Sequence, residues 1–475
     1  MITRTQFLLH DIARIGAERT PKRIAVSFRD QEVTFAELQT NIEHVAMVLA
    51  GRGVRHGDRV AVWADTCIEM PYLYYGIASL GAMFVPLNPR FSEDEARQVL
   101  DLAEPVVLIG NGVRPCDLTI EALMAAKEPS VVDIAEVSEW DAEVLFFTSG
   151  TTGAPKGAAL SHRSDRMRTQ AASNAPLGPS MSMFPMFHWG GWAFVHNALY
   201  TSDEIALVDA TDAETLLETL ERRKVNRFYA IPAVWKRILS ADMKAFDLSA
   251  LREANTGTSA TPPELREAIH AALPDTTTSI GYGATEAGQL CWLSGADAFR
   301  KPYSVGLPAP GQDIKIVDDE FWVKGPQAFL GYYRNEEATS AAVVDGWYRT
   351  GDLVERDEEG YFWVVGRAKD MIRTGGEYVA PSELDVAFQR HPAVADGAAA
   401  GIPDDDWGEI VGAFVVLKPG ATLDLAELRT HCAQTLAAYK HPRQLHIVDS
   451  IARTGATGQV QRRKLIEIAI ARNGD

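Results

Sequence analysis

Short runs rich in valine, isoleucine and phenylalanine alternate with stretches of helical periodicity from residue 58 onward. The first members of this series are strands at 59–63, 83–87 and 106–109 and helices at 70–80 and 92–102. Ser92 and Glu95 have the Ser-x-x-Glu spacing of a capping box, which starts the second helix. Strands joined by helices in this way form parallel sheets. The sequence therefore predicts an α/β fold.

The alternation resumes in the second half of the chain and then changes character. The later predicted elements are helices at 213–224, 262–272, 381–390 and 425–438 and strands at 227–231, 277–281, 411–417 and 444–448. Apolar runs at 314–317 and 321–323 flank three acidic residues and predict a hairpin. The mixed elements at the end of the chain indicate a separate α+β unit.

Composition limits the kinds of partner. A length of 475 residues exceeds what one hydrophobic core usually covers, so at least two domains are expected. The formal net charge of −18 argues against a nucleic acid or an anionic membrane as partner, since both repel an acidic surface. Four widely spaced cysteines indicate free thiols in a reducing cytosol. Charges such as Asp11 and Arg14 exclude a signal peptide or a membrane span near the amino terminus.

A glycine- and hydroxyl-rich segment follows the apolar run at 144–147. It reads Thr148-Ser149-Gly150-Thr151-Thr152-Gly153-Ala154-Pro155-Lys156-Gly157. Glycines let main-chain N–H groups approach anionic oxygens, hydroxyls add donors and the lysine adds charge, so the composition suits a polyphosphate. The spacing is not that of a Walker loop. Taken alone, the segment is also typical of a flexible surface linker.

Further motifs follow in a fixed order. They are Tyr282-Gly283-Ala284-Thr285-Glu286, Gly346-Trp347-Tyr348-Arg349-Thr350-Gly351-Asp352, Gly366-Arg367-Ala368-Lys369-Asp370 and Gly375-Gly376-Glu377. With the glycine-rich segment, this series resembles the core motifs of the adenylate-forming superfamily of acyl-CoA synthetases, peptide-synthetase adenylation domains and luciferases, over about residues 20–465. The resemblance implies a large N-terminal domain of parallel-sheet α/β layers plus a small barrel (1–366), a hinge (367–369) and a small mobile α+β domain (370–475).

The resemblance assigns the polar motif residues to ATP and Mg²⁺. Glu286 corresponds to the Mg²⁺ ligand and Thr285 to the donor to the α-phosphate, with Lys156 also at a catalytic position. Tyr282 offers its ring to adenine, and Asp352 can accept hydrogen bonds from both ribose hydroxyls. The nucleotide-binding positions are Thr148, Ser149, Gly150, Thr151, Thr152, Gly153, Gly257, Thr258, Ser259, Gly281, Tyr282, Gly283, Asp352 and Arg367.

The same resemblance assigns the acid and coenzyme A sites. The acyl-pocket positions are His188, Trp189, Gly191, Trp192, Ile231 and Gly283, and His188 also counts as catalytic. The two tryptophans favour a small or aromatic acid, although packed core residues are equally typical of this pattern. The coenzyme A positions are Gly375, Gly376, Glu377, Lys440 and Arg443, of which the two basic residues also suit a solvated face. Lys369 occupies the hinge about which the small domain rotates between two half-reactions.

One catalytic position departs from the family pattern. Relatives carry a lysine after the glycine of an Arg-Thr-x-x-Gly-Lys segment, where it bridges the substrate carboxylate and the α-phosphate; here Gln459 stands there, and one extra residue precedes Gly458. An amide carries no charge, so adenylation is expected to be about a hundred- to a thousandfold slower. Lys464 is not expected to substitute, because odd spacing on a strand turns it to the opposite face. An engineered change, which the matching flanks favour, and a natural divergence both remain open.

The sequence thus predicts a cytoplasmic acyl-CoA synthetase, a monomer or homodimer, that uses ATP, Mg²⁺ and coenzyme A. Two alternatives stay open. One is an adenylate-forming ligase whose acceptor is an amine, nitrite, water or a carrier-protein thiol. The other is a catalytically silent nucleotide- or acyl-binding protein, which Gln459 makes worth retaining.

Overall fold

The computed structural model describes residues 6, 8–129, 135–149, 155–171, 178–258, 261–454 and 458–473. Within them the α-helices are α1 (Asp11–Arg19), α2 (Phe35–Gly51), α3 (Met70–Ser79), α4 (Glu93–Ala103), α5 (Ile120–Met124), α6 (His162–Ala171), α7 (Trp189–Tyr200), α8 (Ala213–Arg222), α9 (Pro232–Leu239), α10 (Pro263–Ala272), α11 (Asp297–Arg300), α12 (Glu336–Ala342), α13 (Pro381–Gln389), α14 (Leu425–Cys432) and α15 (Arg462–Asn473). None of these helices is both long and apolar enough to cross a lipid bilayer.

The strands of the same residues fall into four sheets. In chain order they are β1 (Ile24–Phe28), β2 (Gln31–Thr34), β3 (Arg59–Trp63), β4 (Met83–Pro86), β5 (Val107–Gly110), β6 (Leu118–Thr119), β7 (Ala142–Ser149), β8 (Pro155–Ser161), β9 (Ser180–Ser182), β10 (Ile205–Leu207), β11 (Arg227–Tyr229), β12 (Glu253–Gly257), β13 (Ile280–Ala284), β14 (Gly288–Leu293), β15 (Leu307–Pro308), β16 (Asp313–Val317), β17 (Glu320–Lys324), β18 (Gly331–Tyr332), β19 (Val343–Val344), β20 (Trp347–Arg356), β21 (Phe362–Arg367), β22 (Ile372–Thr374), β23 (Glu377–Val379), β24 (Val394–Asp404), β25 (Gly408–Leu417) and β26 (Gln444–Ile447).

The large N-terminal domain contains the two widest sheets. One has the strand order β18-β8-β7-β4-β3-β5-β6 and the other β15-β14-β13-β12-β11-β9-β10-β1-β2. As predicted from the alternating pattern, β3 pairs in parallel with β4 and β5, and β11 pairs in parallel with β12. The capping box is also confirmed, because Ser92 and Glu95 exchange side-chain to main-chain hydrogen bonds at the start of α4. The region expected to form a small barrel is a five-stranded antiparallel sheet, β16-β17-β20-β19 with β21 on β20.

A single hydrophobic cluster joins these sheets. It includes Val26 of β1, Val60 of β3, Tyr74 of α3, Trp192 of α7 and Phe321 of β17, so residues from all three sheets share one core. The predicted hairpin is present as β16 and β17. Its two-residue turn has positive φ at both positions, which matches the right-handed twist of the strands.

The small C-terminal domain has its own core. Its sheet has the order β23-β22-β25-β24, with β26 parallel to β25, and α13 packs beside β24. Apolar clusters drawn only from residues 372–469 lie on this sheet. Arg390 of this domain donates a hydrogen bond to the hydroxyl of Tyr303 at 2.8 Å, which links the small domain to the large one. The exact boundary at 367–369 stays a prediction.

Four local predictions were wrong in detail. Lys156 and Gly157 lie on β8, paired antiparallel with β7, rather than in a loop. Lys464 lies in the first turn of α15, so the strand argument used against it does not apply. The helix predicted at 425–438 ends at Cys432. The strand predicted at 277–281 lies at 280–284 as β13, because the residues after Gly281 pair with β14 in a hairpin.

Candidate active site

A tight hairpin turn lies at the carboxyl ends of the parallel strands β12 and β13. β13 pairs antiparallel with β14, and the three residues between them are Thr285, Glu286 and Ala287. Gly283 permits this turn, because a β-carbon there would lie 2.3 Å from the carbonyl oxygen of Gly288. Carboxyl ends of parallel strands are where ligands bind in open α/β sheets. The turn therefore presents two motif residues at the expected edge.

Tyr282, on the strand that enters the turn, is joined to the motif residues of β20 and β21. Its hydroxyl donates to Oδ2 of Asp352 at 2.5 Å, and Oδ1 of Asp352 lies 3.0 Å from Nε of Arg367. Asp352 and Arg367 are direct partners in the strand register. Burial and the neighbouring Asp352 carboxylate raise the pKa of Tyr282 well above its usual value, so the hydroxyl stays a donor. Three residues from three motifs thus meet at one point.

Two glycines pack closely on the strands beside Tyr282. Gly257 and Gly281 are register partners on β12 and β13. A β-carbon on Gly257 would lie 2.6 Å from the carbonyl oxygen of Gly281 and would also collide with the hydroxyl of Tyr229, so only glycine fits. Thr258 follows with a φ of +63° and an exposed side chain. Ser259 lies outside the described residues.

Glu286 and Lys156 lie on either side of one tyrosine. The hydroxyl of Tyr332 donates to Oε1 of Glu286 at 2.9 Å, and Nζ of Lys156 lies 5.2 Å from the centre of the Tyr332 ring. Tyr332 reaches this position because β18 pairs with β8, the strand that carries Lys156. Burial, and then the charge of Glu286, raise the pKa of Tyr332 above its usual value. Thr148 is the register partner of Lys156 on β7.

The central glycine-rich residues cannot be placed. Gly150, Thr151, Thr152 and Gly153 lie outside the described residues, and for Ser149 only the main chain is described. Thr148 of β7 and Lys156 of β8 flank this gap and are register partners. The described ends of the segment are therefore linked to Glu286 through Tyr332, which contacts both Lys156 and Glu286.

Glu286 suits a cation whose other ligands are oxygen atoms of phosphate or water. The residue is 9% exposed, and its Oε1 already accepts a hydrogen bond from the Tyr332 hydroxyl. Oε2 is therefore the carboxylate oxygen that can bind a cation. The described part of the chain contains no group of three or more His, Cys, Asp or Glu side chains arranged to hold a metal ion. One carboxylate together with phosphate oxygens and water is a usual environment for Mg²⁺.

His188 is the N-cap residue of α7, and Trp189 is the first residue of that helix. His188 is half-buried, its ring centre lies 4.4 Å from that of Phe187, and burial lowers its pKa from 6.5 to about 4. The imidazole is therefore neutral at pH 7. Trp192, in contrast, is 0% exposed, its ring centre lies 4.4 Å from that of Tyr74 at an interplanar angle of 39°, and its Nε1 donates to the carbonyl of Met186. These contacts favour the core alternative for Trp192.

Gly191 has a packing role beside these rings. A β-carbon there would lie 2.8 Å from the carbonyl oxygen of Pro185, so the first turn of α7 approaches the preceding loop closely. Sequence analysis missed a nearby aromatic cluster of Phe184, Phe194 and Tyr229, whose ring centres lie 5.6–5.7 Å apart. Tyr229 of this cluster is the residue that contacts Gly257.

A loop of the small domain reaches the large domain at Ile231. Gly458 has a φ of +66°, and a β-carbon there would lie 3.6 Å from Cδ1 of Ile231, at the start of α9. Gln459 follows with an exposed side chain, and its main-chain N–H donates to Oγ1 of Thr454 at 3.0 Å. The glutamine at the unusual position thus lies on the loop that faces the acyl-pocket candidate Ile231.

The ammonium group of Lys369 interacts electrostatically with charged residues of several motifs. Desolvation lowers the pKa of its ammonium group; Asp370 and Asp352 oppose this shift, whereas Arg367 and Lys156 add to it. The predicted hinge residue is therefore within reach of charges from both the 282–352 cluster and the 156–286 cluster.

The coenzyme A candidates lie on another face of the small domain. Gly375 and Gly376 have φ values of +59° and +88°, and a β-carbon on Gly375 would lie 2.6 Å from the ring of Trp407. The guanidinium carbon of Arg443 lies 3.6 Å from the centre of the same ring, which is 42% exposed. Trp407 thus joins two sequence-predicted positions and was itself missed.

The remaining two coenzyme A candidates are placed less distinctively. Lys440 donates to Oε2 of Glu383 at 2.7 Å, which is the pairing of an ordinary surface lysine. Glu377 begins β23 and is exposed.

Comparison with known proteins identifies the family. The AMP-binding enzyme family matches residues 14–333, and the AMP-binding enzyme C-terminal domain matches residues 383–457. The chain is 31% identical to the 2-succinylbenzoate–CoA ligase of Bacillus cereus (94% of this chain, 96% of the relative) and 31% identical to the indoleacetate–CoA ligase of Aromatoleum aromaticum (93% and 94%). The structure of the o-succinylbenzoate CoA synthetase of Bacillus subtilis with its acyl-adenylate intermediate superposes with a TM-score of 0.88 at 26% identity, covering 97% of this chain and 98% of that one.

The chain therefore belongs to the AMP-binding enzyme family, the adenylate-forming superfamily of acyl-CoA synthetases. Its enzyme class is that of an AMP-forming acid–CoA ligase. The mixed α/β fold with a large N-terminal and a small C-terminal domain matches the solved structures of this superfamily.

Proposed function

We propose that this chain condenses a compact or aromatic carboxylic acid with ATP, releases pyrophosphate, and transfers the acyl group from the acyl-adenylate to coenzyme A. The observation that carries the proposal is the convergence of separate motifs on one hairpin. Tyr282 enters the turn and meets Asp352, and Glu286 within the turn meets Tyr332 beside Lys156. Only three residues of the chain, 283–285, therefore separate the contact suited to a nucleoside from the contact suited to phosphates.

The residues around Tyr282 and Asp352 would bind the adenosine part of ATP. The ring of Tyr282 provides a face for adenine, opposite the Gly257–Thr258 segment of the neighbouring strand. The Asp352 carboxylate is fixed by Tyr282 and Arg367 and has the acceptor capacity for both ribose hydroxyls. Because both partners hold the carboxylate before the ligand arrives, little side-chain entropy is lost on binding.

The phosphate end accounts for the reacting groups. Attack of a carboxylate on the α-phosphate brings two anions together, so positive charge must be provided where charge accumulates. Lys156 supplies one charge, and Thr285 supplies a hydroxyl donor at the turn. Mg²⁺ bound by Glu286 and phosphate oxygens would neutralise the departing pyrophosphate. The 150–154 segment would complete the phosphate contacts.

The acid end indicates the substrate class. His188, neutral at pH 7, can lie against a bound carboxylate without fixing it as a salt bridge. The clustered rings of Phe184, Phe194 and Tyr229 include one, Tyr229, that lies against Gly257, and they would offer flat walls to an aryl or short branched acid. The relatives named above act on succinylbenzoate and indoleacetate, which supports a ring-containing acid.

The thiol step is assigned to the exposed face of the small domain. After rotation about Lys369, the glycine turn at 375–376 would line the pantetheine channel, and Arg443, stacked on Trp407, would meet a phosphate of coenzyme A. Lys440, which would have to leave Glu383 to do so, is the weaker candidate.

Gln459 supports a second candidate function. Without the family lysine, the chain can bind ATP and acid but lacks one charge for the adenylation transition state. A nucleotide- or acyl-binding protein without turnover is the alternative that follows from this residue.

Product analysis separates the two candidates. The native chain and its Gln459→Lys form are incubated with ATP, Mg²⁺ and short aliphatic, aryl or long-chain acids, with and without coenzyme A, and products are identified by mass spectrometry. We expect AMP, pyrophosphate and the acyl-CoA of an aryl or short acid. ATP binding without pyrophosphate release from either form would favour the binding protein, and an acyl-adenylate captured only by another nucleophile would exclude coenzyme A as acceptor.

A further inference from the structure

Arg168, on α6, is a buried cation directly behind the hairpin turn. Its side chain is 2% exposed, and it belongs to none of the motifs that identify the family. Removing a guanidinium from water is costly unless hydrogen bonds and a counter-charge replace the solvent. The contacts that hold Arg168 therefore show what this buried charge is fixed to.

The guanidinium bridges two main-chain segments around Glu286. Nη2 donates to the carbonyl oxygen of Thr285 at 2.9 Å and to that of Gln327 at 2.6 Å, and Nε donates to Gln327 at 2.9 Å. The second segment continues to Phe329, whose N–H donates to the carbonyl of Glu286 at 2.7 Å. Arg168 thus fixes the residue before Glu286 and the segment that hydrogen-bonds to Glu286 itself.

The same guanidinium touches the acyl side of the cleft. Its carbon lies 4.8 Å from the centre of the Trp189 ring, and Nη1 lies 3.4 Å from Oδ1 of Asp165. That carboxylate oxygen also accepts a hydrogen bond from Nε1 of Trp189 at 3.0 Å. Asp165 is 0% exposed, so its buried carboxyl group is the ion-pair partner of the arginine and also the hydrogen-bond acceptor of the tryptophan.

We propose that Arg168, with Asp165 as its counter-charge, is a positioning residue that sets the Thr285–Glu286 turn at a fixed distance from Trp189. The guanidinium of Arg168 thereby fixes the main chain that carries the Glu286 carboxylate and also contacts the Trp189 ring. A lysine cannot replace it, since a single ammonium lacks the fork that reaches two carbonyls at once. This inference rests on the proposed function, because it takes Glu286 as the residue that binds Mg²⁺.

A purely structural role makes a different prediction. A buried arginine that only stabilises the fold would, when replaced, lower the melting temperature without altering metal recognition in the folded protein. Arg266 on α10 provides the matched control. It is 1% exposed and its guanidinium likewise donates to a main-chain carbonyl, that of Ala298, but it has no contact with the hairpin turn.

The test measures the affinity for ATP with and without Mg²⁺, by calorimetry on the full chain, for the native protein and for Arg168→Lys, Arg266→Lys and Glu286→Gln. We expect Arg168→Lys to reduce the Mg²⁺-dependent gain in ATP affinity by about tenfold, the usual scale for residues that orient a metal ligand, and to leave AMP affinity unchanged. Arg266→Lys should lower only the melting temperature. Asp165→Asn, which keeps the guanidinium, should reduce the Mg²⁺-dependent gain in ATP affinity in the same direction, by about tenfold at most, and provides the test if Arg168→Lys fails to fold.

Two results would overturn the inference, and they differ in meaning. In the first result, Glu286→Gln loses the Mg²⁺-dependent gain in ATP affinity, while Arg168→Lys or Asp165→Asn retains it. Arg168 would then only stabilise the fold, and the proposed function would stand. If Glu286→Gln itself retains the gain, the metal assignment of the proposed function is wrong, and the inference falls with it.

Discussion

In the proposed cleft, the side assigned to the nucleotide is built from paired polar groups, whereas the side assigned to the acid is built from rings. On the nucleotide side, Tyr282, Asp352 and Arg367 hold one another at 2.5–3.0 Å, and Glu286 is hydrogen-bonded to Tyr332. On the acid side, the aromatic cluster of Phe184, Phe194 and Tyr229 makes ring contacts at 5.6–5.7 Å.

The difference concerns how each side can change. Hydrogen-bonded charges depend on exact distances and tolerate few substitutions. Ring contacts are less directional, so the acid side can be reshaped while the nucleotide side stays constant. We therefore expect variants on the nucleotide side to alter rate and affinity for every acid, and variants on the acid side to alter the choice among acids.

The largest effect is expected at Gln459. Gln459→Lys should raise the rate of pyrophosphate release about a hundred- to a thousandfold, because one charged transition-state donor contributes about 3 kcal/mol. Thiolysis of preformed acyl-adenylate should hardly change. Both rates are measured by single-turnover kinetics, and an unchanged pyrophosphate rate would show that residue 459 is not the position of the family lysine.

The second effect is expected at Asp352. Asp352→Asn removes a charged acceptor, and hydrogen bonds to charged groups contribute about 1.5–3 kcal/mol, so ATP and AMP should bind roughly ten- to a hundredfold more weakly. Asp297→Asn is the control, since Asp297 also accepts from a tyrosine hydroxyl (Tyr361, 2.6 Å) and pairs with an arginine (Arg300, 2.9 Å), but away from the cleft. Equal losses of nucleotide affinity in both variants would contradict the assignment.

A smaller and selective effect is expected at Phe194. Phe194→Leu removes one ring from the acid side and should change the ratio of kcat/KM between bulky and small acids by about tenfold, the scale of pocket shape changes. The KM for ATP should stay the same. Phe299→Leu, at an exposed ring on α11, is the control. A uniform loss for all acids would mean that Phe194 supports the fold without lining the acid site.

The smallest effect concerns His188 and pH. Its pKa is lowered by burial from 6.5 to about 4, so as the pH falls the unfolded chain takes up this proton first. The contribution of His188 to stability is complete above pH 6.5 and is lost between pH 6.5 and about 4. His188→Gln should therefore lose less unfolding free energy over this range than the native chain, as measured by urea titration. An identical loss in both proteins would contradict the lowered pKa; His270→Gln, on the exposed face of α10, is the control.

The residues proposed for the nucleotide side could be named from the sequence, and three of them, Tyr282, Asp352 and Arg367, meet in the structure. They lie in short contiguous motifs, which can be recognised without knowledge of the fold. Tyr332 was missed because it belongs to no motif and reaches Glu286 only through the pairing of a two-residue strand, β18, with β8. The roles of these residues remain predictions.

The acid side and the buried support were not predictable. Phe184, Phe194 and Tyr229 come from three separate segments, and nothing in their spacing indicates that they meet. Trp192 has the same local surroundings in sequence as Trp189, yet the helical turn places it in the core. Arg168 lies on a helix whose polar sequence suggests exposure, and only the packing of α6 against α7 and β8 reveals that it is buried.

Binding of a stable acyl-adenylate analogue tests most directly whether the two sides form one cleft. Acylsulfamoyl adenosines that carry benzoyl, phenylacetyl or short aliphatic groups are titrated against the native chain by calorimetry, with AMP and the free acids measured in parallel. We predict that the best aryl analogue binds at least about a hundredfold more tightly than AMP, as expected for a ligand that spans both sides of an adenylate-forming site. Affinity no greater than that of AMP for every analogue would contradict a shared cleft.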